Sequence, residues 1–138
     1  MVMERSRRGT VLGLAALCAA ATLPIATGRT LAAGPDLRLA TALIMIEDRG
    51  CRYCVRFDAE ARPGYENSPE GRFAPLVRRP RSAPDVRFLS EVVYSPTFIL
   101  LVEGREIGRV VGYQGADLFW MEMAGLMRKA GFRPGAAE

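Results

Sequence analysis

An uninterrupted apolar run, Leu43-Ile44-Met45-Ile46, passes through Glu47-Asp48-Arg49-Gly50 straight into Cys51-Arg52-Tyr53-Cys54. An apolar run of this length suits a strand buried on both faces, as in an α/β sheet, and such a strand is expected within Leu37 to Glu47. From Cys51 to Arg62 nothing breaks a helix until Pro63-Gly64 ends it. The two cysteines therefore belong at a helix N-terminus, just beyond the carboxyl end of a buried strand. In open α/β sheets, that is where ligands and chemistry gather.

Residues 63–84 carry Pro63, Pro69, Pro75, Pro80 and Pro84, which forbids one long helix there. Ser68-Pro69-Glu70 fits an N-cap followed by proline in the first helical turn. Leu76 to Arg79 reads as a short strand, and Arg78, Arg79 and Arg81 as a solvated loop surface rather than a binding patch. Thr97 to Val102 is a β-branched and aromatic run, Glu103-Gly104 is a hairpin turn, and Ile107 to Val111 is the return strand. Ala116 to Ala130 reads as a helix closed by Gly131, with Leu118, Phe119, Met123, Leu126 and Met127 as its buried stripe.

The first 33 residues read as an export signal. Arg5, Arg7 and Arg8 precede the uncharged stretch Val11 to Ala26, and small residues follow at Ala32, Ala33 and Gly34. The apolar stretch is shorter than the roughly 20 residues of a membrane-spanning helix. A cleaved signal peptide over 1–33 is expected, with an N-terminal membrane anchor as the alternative, and residues 34–138 form the single domain. Thr10 stands where a twin-arginine signal usually has a bulky apolar residue, and Leu17 before Cys18 argues against lipidation.

Placing the charge changes its meaning. The whole chain has a formal net charge of +4, but the leader holds four arginines and one glutamate, leaving 15 basic against 14 acidic side chains. At +1 the remaining domain lacks the electrostatic footprint of a nucleic-acid binder. The chain has no histidine, which excludes Ser-His-Asp and Cys-His catalysis, histidine-containing zinc sites and c-type haem attachment.

Cys51 and Cys54, the two cysteines beyond the leader, admit three readings. Half of a zinc site lacks two further soft ligands. A structural disulfide across so short a loop restrains the unfolded chain little. A redox pair suits an exported protein, with Cys51 as nucleophile, its thiolate favoured by the helix N-terminus, and Cys54 as the resolving thiol. Arg52 adds a nearby cation that tunes Cys51 toward thiolate, while Glu47 and Asp48 oppose it if they approach the sulfur. Tyr53 is either a partner-facing ring or packing.

The strand, the CxxC helix, and Tyr94-Ser95-Pro96-Thr97-Phe98 ahead of a hairpin and terminal helix together resemble the thioredoxin fold. The resemblance implies a central mixed sheet with flanking helices and a cis-proline loop at Pro96, facing the CxxC. It further implies that the Ser95 backbone pairs with an incoming partner strand, and that Gly112 lies beside the active site. Gly50 stands where the usual centre has tryptophan, Arg52-Tyr53 replaces Gly-Pro, and the helix before the cis-proline is reduced to an irregular stretch, Pro84 to Val93.

EDRGCRYCVRFDAE, SPEGRFAPLVRR, YSPTFILLVEGREIGRVVGYQG and DLFW are similar to the periplasmic thioredoxins of the bacterial sulfur-oxidation system. That similarity implies a monomeric periplasmic protein-disulfide oxidoreductase without metal or cofactor, acting on a sulfur-carrier protein and re-reduced by a membrane thiol-electron transporter. The alternatives are a disulfide oxidant, a cytochrome c maturation reductase, or a non-enzymatic thioredoxin-fold or metal-binding module. A copper chaperone would usually place methionine where Arg49 stands.

Overall fold

The structure is a computed structural model and describes residues 34–135; the expected signal peptide lies outside them. Four strands, β1 (Ala42–Glu47), β2 (Leu76–Pro80), β3 (Thr97–Val102) and β4 (Arg105–Val111), form one sheet in the order β2-β1-β3-β4. β1 is parallel to β2 and antiparallel to β3, and β3 is antiparallel to β4. The apolar run of β1 is therefore central, and Ala42 to Ile46 are buried.

Alternation along the strands divides the core in two. Leu43, Met45, Phe98 and Leu100 face the helical side, and Ile44, Ile46, Ile99 and Leu101 face the other. The register Leu43↔Leu100 and Met45↔Phe98 keeps each set on its own face. A slip of one residue would exchange them.

The helical side is built from α1 (Arg52–Glu60), α2 (Arg62–Glu66), α3 (Pro69–Phe73) and α4 (Ala116–Lys129). Cys54, Phe57 and Ala61 follow one another along the inner face of α1 and its end. The Phe57 ring lies 4.7 Å from Phe98, 5.2 Å from Phe119 and 5.6 Å from Tyr113, centroid to centroid. Phe119, Met123, Leu126 and Met127 are the buried stripe of α4, with Leu118 only half-buried at its edge.

Pro63 does not stop the helical path as expected. The break falls earlier, at Ala61 (φ −122°, ψ −33°), and Pro63 enters the first turn of α2. A proline there removes an N–H that has no intrahelical acceptor. Ser68 caps α3 as its sequence suggests, its Oγ accepting the Gly71 N–H at 3.0 Å.

Among the described residues, the opposite face has no long helix. The connection from Arg81 to Pro96 contains only a 3-10 turn at Pro84–Val86, and covers the sheet with Val86, Phe88, Leu89 and Val92. Two arginines hold it through backbone carbonyls: Arg81 donates to Val93 O at 2.9 Å and Arg109 to Glu91 O at 3.1 Å. The β3–β4 hairpin turns at Glu103 (φ +50°) and Gly104 (φ +75°), the paired left-handed conformation of a tight hairpin. A Cβ on Gly104 would overlap the Arg38 carbonyl, so only glycine fits. No helix among the described residues is long and apolar enough to cross a membrane.

Candidate active site

β1 delivers the chain to Asp48-Arg49-Gly50, and Cys51 becomes the N-cap of α1. Its extended backbone (φ −67°, ψ 101°) lets Sγ accept the Cys54 N–H at 3.1 Å. The first N–H groups of a helix have no intrahelical partner, and the helix dipole adds positive potential. Negative charge on Cys51 is thus favoured by the backbone itself.

Cys51 and Cys54 are joined as a disulfide with their Cα atoms 5.3 Å apart. Cys51 is half-buried and Cys54 is 3% exposed, so Cys51 is the more accessible residue of the pair.

Ser95 and Pro96 arrive from the opposite side at the head of β3. The Ser95–Pro96 peptide is cis, Pro96 is buried, and its carbonyl accepts the Gly112 N–H at 2.7 Å. Ser95 Oγ accepts the Asp48 N–H at 2.9 Å and lies 3.6 Å from Cys54 Sγ. Gly112 has φ +84°, and a Cβ there would point into open space. The structure therefore brings Cys51, Cys54, Ser95, Pro96 and Gly112 to one end of the sheet.

Tyr53, Ser95 and Gly112 also line a common groove with Arg56, Tyr94, Val111, Tyr113 and Gln114. Tyr53, Tyr94 and Val111 are exposed apolar surface in that groove. Tyr94 and Val111 are not evident from motif reading, because their significance comes from β3 and β4 meeting beside α1. Arg52 is turned onto Tyr53: its guanidinium donates to the phenol oxygen at 2.8 Å and lies 4.8 Å from the ring centroid. That hydrogen bond holds the Tyr53 phenol below its ordinary pKa and raises that of Arg52.

A second pocket beside the disulfide is lined by Glu47, Asp48, Arg49, Asp58 and Arg78 together with both cysteines. Arg78 donates to Glu47 Oε1 at 3.1 Å and to Asp58 Oδ1 at 2.7 Å. Glu47 thus reaches the cysteine pocket as an ion pair, its hydrogen bond being the main reason the Arg78 pKa is raised. The arginines expected to form a solvated loop are paired instead: Arg78 as above, Arg79 with Asp85 at 2.7 Å, and Arg81 with Asp48. Asp58 was accessible in principle, since it follows Cys54 by one helical turn. Its cation comes from β2, distant in sequence. Among the described residues no cluster of three or more acidic or cysteine side chains is placed to hold a metal ion.

A β-α-β unit followed by a β-hairpin and helix, with a CxxC disulfide at a helix N-terminus facing a cis-proline, defines the thioredoxin-like class of thiol–disulfide proteins. No protein-family model and no curated protein matches the chain. Among solved structures it is similar to the periplasmic thioredoxin SoxS from Paracoccus pantotrophus, crystallised in its reduced form. The two are 40% identical with a TM-score of 0.61, over 66% of this chain and 99% of the other. The chain belongs to the SoxS family of thioredoxins. Its chemistry is thiol–disulfide exchange.

Proposed function

We propose that the protein is an exported reductase that opens a disulfide on a periplasmic sulfur-carrier protein and is itself re-reduced by a membrane thiol-electron transporter. The observation that carries this reading is the CxxC pair, capping α1 opposite Ser95–Pro96, in a chain 40% identical to a periplasmic SoxS. Export belongs to the same reading, with residues 1–33 as a signal peptide cleaved after Ala32 or Ala33.

In the forward direction the Cys51 thiolate attacks a sulfur of the partner disulfide and a mixed disulfide forms. Cys54 then attacks Cys51 Sγ, closing the intramolecular bond and expelling the second partner thiolate. The groove containing Tyr53, Ser95 and Gly112 supports docking of an extended partner segment, with apolar contacts from Tyr94 and Val111.

The test is a Cys54→Ser variant, which lacks the resolving thiol and is expected to accumulate reductant-sensitive mixed disulfides through Cys51. Expressed with its leader in a sulfur-oxidising bacterium, it should capture the sulfur-carrier protein. Its N-terminus should begin at Ala33 or Gly34 by intact-mass measurement. Capture confined to other exported proteins would overturn the carrier assignment, and no mixed disulfide at all would overturn the reductase.

A further inference from the structure

Ser95 approaches the disulfide with its side chain as well as its backbone. Its Oγ lies 2.9 Å from the Asp48 nitrogen, whose N–H donates to it, and 3.6 Å from Cys54 Sγ, within hydrogen-bonding reach of the larger sulfur atom. A hydroxyl has one O–H and two lone pairs. The Asp48 amide occupies a lone pair, so the serine proton remains available. In the disulfide Cys54 Sγ bears no hydrogen, so any hydrogen bond between these atoms uses the serine proton.

We propose that Ser95 is a catalytic residue of the exchange, its O–H donating to Cys54 Sγ and stabilising the negative charge that collects there when the disulfide opens. This rests on the reading that Cys51 and Cys54 cycle between disulfide and dithiol. In the reductive step the thiolate of an external thiol attacks Cys51 Sγ. A sulfur–sulfur bond forms between them, the Cys51–Cys54 bond breaks, and its electron pair stays on Cys54 Sγ as a thiolate.

No proton is transferred in that step. The serine hydrogen bond passes from a weak acceptor, a disulfide sulfur, to an anion. The second thiol of the reductant, ionised, then attacks its own sulfur in the mixed disulfide, expelling Cys51 as a thiolate. The reductant is oxidised by two electrons and the pair is reduced by two. Charge-assisted hydrogen bonds are roughly twice as strong as neutral ones, so Ser95 favours the open state.

Asp48 also stands next to the sulfur pocket, with Glu47, Arg49, Asp58 and Arg78. These charges are the same in every Ser95 variant, so a difference between variants reports the hydroxyl. In a Cys51→Ala background, absorbance at 240 nm against pH, less that of a Cys51→Ala/Cys54→Ser control in which the tyrosines still titrate, reads Cys54 ionisation. Ser95→Ala is expected to raise its midpoint by about one pH unit, a tenfold change in the ionisation constant, and Ser95→Thr to restore it. With both cysteines present, and at a pH above both Cys54 midpoints so that the reduced form carries the thiolate, Ser95→Ala should be about tenfold harder to reduce in a glutathione buffer, about 30 mV for this two-electron couple.

Ser95→Thr and Ser95→Val have nearly the same shape and differ by the hydroxyl, so they give the same comparison if the alanine variant does not fold. Equal Cys54 midpoints and equal glutathione equilibria with and without the hydroxyl would overturn the role of Ser95. If the unmodified protein does not exchange with glutathione, the cycling reading itself falls. If it exchanges and the Ser95 variants match it, only the serine assignment falls.

Discussion

At the scale of single residues, the two positions between the cysteines work as a unit rather than as two independent modifiers. Arg52 and Tyr53 bond to each other, so the charge that looked available to Cys51 is shared with an exposed phenol. The guanidinium lowers the Tyr53 pKa first by hydrogen bonding and then by its charge, with Arg56 adding a smaller effect. Tyrosinate absorbance at 295 nm should therefore include a component below the ordinary value of about 10. Tyr53→Phe should remove that component, and Arg52→Gln should move it up. A titration curve unchanged by Arg52→Gln would show that the pair does not persist in solution.

At the scale of elements, α1 combines reactivity at its first turn with packing at its second. Phe57, fully buried one turn beyond Cys54, meets three aromatic rings from β3, α4 and the segment after β4. Its truncation removes the ring's transfer energy and leaves a cavity, so Phe57→Ala is expected to cost about 3–5 kcal/mol in urea-induced unfolding. A loss below about 1 kcal/mol would mean that the core collapses around the gap. The elements that sequence alone located are those with a local physical signature. β1 shows as an apolar run, the hairpin as Glu103-Gly104 between β-branched strands, and α3 as Ser68-Pro69. The break at Ala61 was legible only to within two residues, because Pro63 signals an interrupted helix but also fits the first turn of a new one. The arginine pairings were hidden: Arg78 lies 31 residues from Glu47 and 20 from Asp58, so only the parallel β1–β2 register and the placement of α1 bring them together. For the site, the cysteine pair at a helix start was legible from spacing, and Ser95, Pro96 and Gly112 entered only through the resemblance to the thioredoxin fold, whereas the Asp48–Ser95–Cys54 contacts required the loop geometry.

At the scale of the whole molecule, two buried phenols tie stability to high pH. Burial is the main reason Tyr65 is raised above its ordinary pKa, and burial followed by the hydrogen bond to Glu60 pushes Tyr113 up to about 12. Above about pH 10 the unfolded chain releases these protons while the folded chain keeps them, so their stabilisation is complete below that value and is lost as pH rises toward 12. The urea midpoint should fall between pH 9 and pH 11.5, and Tyr113→Phe should flatten that fall; a midpoint independent of pH there would contradict the burial of both groups. The sheet itself is covered unequally, by α1, α2 and α4 on one face and by the Arg81–Pro96 connection on the other. The entropy of closing a connection grows slowly, by about 0.6 kcal/mol for each doubling of its length. The side without long helices is therefore where this architecture can gain or shed residues at little thermodynamic cost, provided Arg81 and Arg109 still find their carbonyls. Architectural change can accumulate there while the distance between the redox sulfurs and the serine hydroxyl stays fixed.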